Sequence, residues 1–320
     1  MKINATLAGA ILRAFESSAG KFGRTISANA DGITISGTNA TLRVAIPSAT
    51  LAPVTYARDI ARDMITGATV TPTDTGATVT NGKGLSFTIP NAPDAPPALA
   101  PVPNGVPVNP ADVAWVASAS ATDYGMPILC AVRFDGDKVA ATDRFRLHVA
   151  DLPMPCAGTV PAASVAWLAR VPAATVAIDT DLGVATIASG SISLTVRTVL
   201  GDFPNFGNII PETTHPVMPA ENVAIVKPYL ADKAVCAVKV SATGADVFGF
   251  RPKSKTPGDV LATVNATSAG QTFTVNAAYL GAALAGCQGA IESADTAEMI
   301  TRPLVIRDGS RMALLMPIRN

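Results

Sequence analysis

The sequence predicts an α+β chain made of three copies of one small domain, and three observations predict it. Each third opens with a helix-like segment, at Thr6 to Ala19, Pro110 to Ala121 and Pro219 to Ala231. A second helix-like segment follows, at Ser48 to Met64, Pro161 to Arg170 and Val275 to Gly286, each leading into a hairpin rich in Val, Thr and Ile. Asp-Gly pairs recur between short β-branched runs, at Asp31-Gly32, Asp135-Gly136 and Asp308-Gly309. A repeat of roughly a hundred residues exceeds a solenoid unit and has the size of a small domain. The 320 residues suffice for several such cores.

In the opening segment Leu7, Ala8, Ile11, Leu12 and Phe15 fall at steps of three and four, on one helical face. Arg13, Glu16 and Ser17 turn away from it. The start superficially resembles a signal peptide, but its apolar run is short and Arg13, Glu16 and Lys21 follow, so it reads as a first helix and the compartment as the cytosol. Thr25-Ile26-Ser27 and Ile33-Thr34-Ile35 flank Asp31-Gly32, which supplies the positive φ of a hairpin turn. The same reading applies to Ala131 to Phe134 with Lys138 to Ala140, and to Leu304 to Ile306 with Met312 to Leu315. Proline-rich stretches, Pro90 to Pro110 and Pro211 to Pro219, block helix continuation and stiffen linkers. They set the domains at 1–106, 107–216 and 217–320.

Composition narrows the function classes. Lys+Arg and Asp+Glu number 24 each, so the formal charge is zero, which excludes a basic or acidic tail but not a local basic face. No apolar run approaches the roughly 18 residues that span a bilayer, so a soluble protein without a membrane partner is expected. Cys130, Cys156, Cys236 and Cys287 lack CxxC spacing and sit in or beside apolar segments, as structural thiols do. Neither His148 nor His215 has a motif partner in sequence, so no catalytic residue is assigned. Gly76 to Gly84 has five residues between Gly76 and Gly82 and glycine after Lys83, against four and Ser/Thr in a phosphate-binding loop, and reads as a hairpin turn. Asp135, Asp137 and Asp143 raise a divalent-ion site, but Asp135-Gly136-Asp137 is explained by turn chemistry and no downstream Glu completes a calcium loop. Neither a metal nor a cofactor is expected. Binding or scaffolding, rather than catalysis, is the leading class.

Several segments carry a family resemblance. They are Val139-Ala140-Ala141-Thr142-Asp143-Arg144-Phe145-Arg146-Leu147, then Gly201-Asp202-Phe203-Pro204-Asn205-Phe206 with Ile209-Ile210-Pro211, and finally Leu314-Leu315-Met316-Pro317-Ile318-Arg319. In this order and spacing the chain resembles the bacterial DNA polymerase III β subunit, the sliding clamp family. That family has an ATD-x-x-RL strand end, a G-x-FP-x-Y/F segment and an MP-x-R ending. Phe273 to Leu280 is also similar to the family's segment at its last helix. The first domain matches in layout rather than motif.

The resemblance implies a DNA clamp fold of three repeated domains, with helices lining a ring and sheets outside. Two chains would join head to tail, a heterologous contact that closes when its rotation completes a circle. Partners would be duplex DNA, held without sequence preference, a replicative DNA polymerase and a clamp loader. Mobile phosphate contacts suit a protein that must hold DNA without stopping on it. Candidate DNA-facing cations are Arg13, Lys21, Arg24, Arg58, Arg62, Arg170, Lys227 and Lys233, each also readable as a solvated helix face. Arg24 stands out because the family carries an Arg in the loop after its first helix. An apolar partner-peptide pocket between the second and third domains would use Leu129, Thr142, Leu147, Pro211, Thr301, Pro303, Leu314, Met316, Pro317, Ile318 and Arg319. Leu129, Leu147 and Leu314 are equally readable as core. Tyr229 and Leu230 fall where the family places its dimer interface, with ordinary helix packing as the alternative.

Four positions depart from the family. Arg144-Phe145 replace a small residue followed by His or Tyr, Thr301 replaces an apolar residue, and Pro127 stands where a DNA-facing aromatic or polar group is common. A chain shorter than many cellular members and rich in Ala, Thr and Pro suggests a divergent, phage-encoded clamp in a bacterial cytoplasm. The rivals are a β-rich adhesin or virion-surface protein, and a hydrolase whose site lacks a recognised motif.

Overall fold

The structure is a computed structural model that describes residues 3–20, 23–46, 48, 50–92, 94–123, 125–232, 234–250 and 257–318. The chain divides into two compact units. The first comprises Met1–Ala117, Asp123–Lys138 and Leu152–Gly201, and the second Ser118–Thr122, Val139–Asp151 and Asp202–Asn320.

In the first unit, helix α1 (Ala5–Ser18) starts where the Asn4 side chain accepts a hydrogen bond from Leu7 N at 2.9 Å, satisfying one of the helix's unpaired first-turn donors. The predicted stripe, Leu7, Ile11, Leu12 and Phe15, is buried. It packs on Ala40–Val44 and Ile192–Arg197, adjacent strands of an eight-stranded antiparallel sheet. That sheet runs Leu51–Thr55, Thr25–Asn29, Gly32–Ser36, Ala40–Val44, Ile192–Arg197, Val184–Ser189, Ala174–Asp179 and Val106–Val108. Thus residues from the first and second predicted thirds share one sheet. The expected hairpin over Asp31-Gly32 forms, and Gly32 is held by space as well as by φ, since a Cβ there would lie 2.2 Å from the Val44 carbonyl oxygen. The proline-rich stretch crosses this sheet, with Leu99 N donating to Thr41 Oγ1 and Val102 N to Thr186 Oγ1, both at 2.8 Å.

The helix expected over Ser48 to Met64 is a strand, Leu51–Thr55, followed by a shorter helix, α2 (Arg58–Ile65). Val54 and Thr55 are β-branched and Pro53 has no N–H to give a helix, whereas an edge strand accepts all three. Ile26 pairs with Val54 there. A three-stranded sheet follows, Thr69–Thr73, Gly76–Thr80 and Ser86–Pro90. The Gly82-Lys83 segment is its expected turn, where Asn81 Oδ1 accepts from Lys83 N and Leu85 N.

Helix α3 (Pro110–Ala117) stops short of Ala121, because Ser118, Ser120 and Thr122 offer the backbone competing hydrogen bonds. It packs against α4 (Ala162–Val165) and the 3₁₀ turn Ala166–Arg170. Trp167 anchors that turn, fully buried with its Nε1 donating to Ser164 O at 2.9 Å.

The hairpin expected at Asp135-Gly136 is absent. Ala131–Thr142 runs through it as one strand, Gly136 absorbing the irregularity at φ 65°, and the chain reverses instead between Thr142 and Arg146, where the next strand, Arg146–Pro161, begins. Asp143 is the turn residue there, its Oδ1 accepting from Phe145 N and Arg146 N at 3.0 Å.

In the second unit a sheet runs His215–Met218, Ile291–Ser293, Leu304–Asp308 and Arg311–Leu315, followed by the parts of the two longer strands that belong to this unit, 146–151 and 139–142. The hairpin at Asp308-Gly309 forms as expected, with Gly309 at φ 57°. A second sheet runs Pro257–Val264, Gly244–Phe250, Val235–Ser241 and Phe273–Asn276. Helix α5 (Ala220–Val226) gives way to a 3₁₀ turn, Lys227–Ala231, at Pro228. Helix α6 (Ala277–Leu284) begins two residues after the expected Val275 because Phe273–Asn276 completes the sheet. Asn276 then caps it, accepting from Tyr279 N at 3.1 Å. Among the described residues no helix is long and apolar enough to cross a membrane. The four cysteines are free thiols, Cys236 and Cys287 buried and the others half-buried.

Candidate partner-binding and DNA-facing sites

In the second unit, two strands meet in a register that lines up apolar side chains. Leu147 stands opposite Leu314, and Leu314 opposite Val305, while Val149 stands opposite Met312 on the next rung of the same face. Ala140 and Phe206 complete this cluster, and Phe203, Ile210 and Met312 pack on it while keeping part of their surface exposed. Phe203 and Phe206 meet edge to face at 6.5 Å. A sheet face capped by a Phe-Pro-Asn-Phe segment therefore supplies an apolar surface that is partly open.

The segment that follows Arg311–Leu315 is held by two backbone bonds. Met316 N donates to Phe145 O and Ile318 N to Thr274 O, each at 2.8 Å. Met316 is half-buried, Pro317 buried and Ile318 exposed. These two backbone bonds hold the segment Met316 to Ile318 against the turn at Phe145 and the strand at Thr274.

The turn after Ala131–Thr142 is ordered by polar contacts. Thr142 Oγ1 donates to Arg146 O at 2.6 Å, and Arg146 pairs with Asp143 at 2.9 Å while lying 4.4 Å from the centre of the Tyr279 ring. Burial is the main cause that pushes the Tyr279 hydroxyl above its ordinary pKa, with the Asp143 charge adding to it. Arg144 adopts φ 79°, the left-handed region. A residue with a Cβ occupies that region at a cost in backbone energy. Phe145 is 56 % exposed while its carbonyl holds Met316.

The eleven residues expected to form the pocket behave differently from one another. Thr142, Leu147, Leu314 and Met316 lie in or next to the apolar cluster through the register and bonds above. Pro211 follows Ile210, and Pro303 precedes Leu304, both half-buried. Thr301 is exposed and occupied, its N–H and Oγ1 donating to Asp295 Oδ2. Those hydrogen bonds, the Thr301 backbone one first, hold the Asp295 carboxyl below its usual range. Leu129 is buried in a 3₁₀ turn, Pro127–Cys130, that belongs to the first unit. Arg319 lies outside the described residues. Residues missed from sequence are Val149, Phe203, Phe206, Val305, Ile210 and Met312. The alternation Leu147/Val149 and Met312/Leu314 was the signal for four of the cluster's members.

The basic residues also separate into two kinds. Glu16 binds Arg58, whose Nε lies 2.9 Å from Glu16 Oε1, and accepts from Tyr56 Oη at 2.7 Å. Desolvation in that cluster pushes the Tyr56 pKa up to about 12, against the opposing charge of Arg24. Arg62 pairs with Asp59 at 3.2 Å. Arg24 is turned to structure as well: its Nε donates to Gly20 O at 2.7 Å, its Nη2 to Glu16 O, and its guanidinium lies 5.9 Å from the Tyr56 ring centre. It finishes α1 by satisfying one carbonyl in the last turn, that of Glu16, and one past the helix end, that of Gly20.

Arg13 and Arg170 differ. Both are exposed, have no acidic partner among the described residues, and line one cleft of about 170 Å³ with Ala10, Ala14, Ala163 and Trp167. Small side chains between two free guanidinium groups leave room for a phosphate to approach both. Lys227, at the start of its 3₁₀ turn in the second unit, is exposed too. Lys21 and Lys233 lie outside the described residues. Tyr229 is 39 % exposed, whereas Leu230 packs on α6 close to Gly281, where a Cβ would meet Leu230 Cβ at 3.4 Å.

The two histidines are structural. His148 is fully buried with Nδ1 3.4 Å from Ser118 Oγ, and His215 Nε2 meets Gln271 Nε2 at 3.3 Å.

The chain superposes on known structures along nearly its whole length. For the DNA polymerase III β subunit of Thermotoga maritima the TM-score is 0.70 at 16% identity, covering 99% of this chain and 98% of that one. For the DNA polymerase sliding clamp of Bacillus subtilis it is 0.69 at 16% identity, with the same coverage. A Pseudomonas aeruginosa sliding clamp bound to griselimycin gives 0.68 at 14% identity, again over 99% and 98%. No protein-family model and no curated protein sequence matches the chain. The fold is that of the bacterial sliding clamps.

Proposed function

We propose that the protein is a DNA sliding clamp, a non-enzymatic processivity factor that works as a head-to-tail homodimeric ring around duplex DNA. The observation that carries this reading is the fold match, which covers 99% of this chain and 98% of a bacterial DNA polymerase III β subunit. Three domains, 1–106, 107–216 and 217–320, would then repeat around the ring. Among the described candidates, Arg13, Arg170 and Lys227 are the exposed cations proposed to follow phosphates, whereas Arg58 and Arg62 on α2 have their charge partly compensated by acidic partners and Arg24, in the loop after α1, is engaged with backbone carbonyls. Tyr229, the more exposed of the interface pair, is the better contact with a second chain.

The apolar surface around Leu147, Leu314 and Met316 is the proposed dock for short peptides of the replicative polymerase and the clamp loader. Partly open apolar surface beside ordered polar turns suits apolar anchors, and Met adapts to several of them. The setting is a bacterial cytoplasm, in a cellular or phage-encoded replication system.

Sedimentation equilibrium and peptide binding test this together. Two chains of 32.5 kDa per particle are expected. Deleting 316–320 should abolish binding of a polymerase tail peptide and leave that mass unchanged. A monomer at all concentrations, or unaltered peptide affinity after the deletion, contradicts the reading.

A further inference from the structure

The first unit holds another recess, unrelated to the candidate sites above. It lies on the eight-stranded sheet where Gly32–Ser36, Ala40–Val44 and Ile192–Arg197 run side by side, and encloses about 460 Å³. That volume is within the range of small-ligand sites. Arg43 is central to it, with Thr34 opposite on one neighbouring strand and Ser193 opposite on the other. The residues Asn29, Asp31 and Ser191 lie around it. The opposite face of the same strand, Leu42 and Val44, is buried core, which fixes the direction of Arg43 through the two-residue period of the strand.

Arg43 has no acidic partner among the described residues. Its Nη1 is closed off from solvent and meets no hydrogen-bond acceptor. Burial accordingly lowers its pKa, the charged form losing water without gaining a counter-charge. A half-buried guanidinium flanked by two hydroxyl-bearing side chains, and left without an acceptor, is matched by a planar oxyanion that fits its fork. Asp31 in the same recess forms no ion pair with it, and its negative charge disfavours a dianion. A monoanionic group meets less repulsion.

We infer that this recess is a binding site for a small carboxylate ligand, the carboxylate accepting from Arg43 between Thr34 and Ser193. The site depends only on the first unit and does not rest on the ring proposed above.

The experiment is a titration of the ¹⁵N-labelled full chain with butyrate, a monocarboxylate, monitored by TROSY spectra, chloride holding the ionic strength constant, and inorganic phosphate as a second arm. Saturable shifts of the Thr34, Arg43 and Ser193 amides with butyrate are expected, with at least a tenfold weaker response in Arg43→Gln. A second variant, Ser193→Glu, places a carboxylate in register opposite Arg43. It should raise the thermal midpoint and remove the butyrate response, and it keeps the test decisive where Arg43→Gln does not fold. Non-saturating shifts, shifts unchanged in both variants, or phosphate binding as tightly as butyrate would overturn the inference.

Discussion

The helix-borne cations of the first unit and the apolar cluster of the second use opposite physics. Arg13 and Arg170 stand exposed around a cleft walled by alanines, and nothing in the fold requires them. Leu147, Leu314, Val305 and Phe206 are buried and mutually packed, and the sheet is built on them. Interactions of the first kind are long-ranged, interchangeable and screened by salt. Those of the second kind are short-ranged and depend on shape. The function proposed above, sliding on one partner while holding another, would use both kinds, kept on separate elements.

The largest effect expected from breaking this contrast is on stability. Leu314→Ala should lower unfolding free energy by about 2–5 kcal/mol, through reduced transfer energy and a residual cavity, whereas Arg13→Ala should stay within about 0.5 kcal/mol. Urea denaturation of both variants checks this, and similar losses would erase the distinction. Next comes DNA affinity. Arg13→Ala with Arg170→Ala should reduce the slope of log K against log salt by about 2, since each phosphate that is no longer neutralised removes about 0.9. Fluorescence anisotropy on duplex DNA at graded salt measures it, and an unchanged slope would remove both residues from the DNA face.

Two smaller effects sharpen the second region. Arg144→Gly relieves a left-handed residue at φ 79° and should stabilise the chain by about 1 kcal/mol, less the flexibility glycine adds to the unfolded state. A thermal midpoint that falls instead would mean the Arg144 side chain makes a compensating interaction. Asp295 has its carboxyl held below the ordinary range, chiefly by the Thr301 N–H. Its contribution is therefore present above the usual aspartate pKa of about 3.9 and is lost as pH falls through the lower native value. Asp295→Asn should flatten the acid limb of the stability curve below about pH 4, a small effect because the group is exposed.

Much of the fold is legible in the sequence where one physical signal dominates. The stripe Leu7 to Phe15 predicts α1 because nothing else satisfies steps of three and four, and Asp308-Gly309 predicts its hairpin because the flanking runs are short and equal. The same dipeptide fails at Asp135-Gly136. There the strand continues on both sides, and one glycine can accommodate a positive φ without reversing the chain. The stretch Ser48 to Met64 misleads because the helical pattern of α2 begins only at Arg58, and the preceding strand is defined by its partner, Thr25–Asn29, rather than by its own periodicity.

The site residues follow the same rule. Leu147 and Leu314 are identifiable with their motifs, yet that they face each other across a strand pair is a matter of register, which a single sequence does not state. Arg24 draws attention as a cation after the first helix, whereas its role as a cap depends on where Gly20 and Glu16 point their carbonyls. Pairing partners also separate Arg58 from Arg13. Both are exposed arginines on helices, and only the position of Glu16 distinguishes them.

The most direct test is topological. The protein is loaded onto nicked circular plasmid by a compatible clamp loader, freed of unbound protein, and the plasmid is cut once. A closed hoop held mechanically slides off the new ends, so the DNA-bound fraction is predicted to be lost on cutting and restored when the ends are blocked. Equal retention on circular and open-ended linear DNA would contradict encirclement.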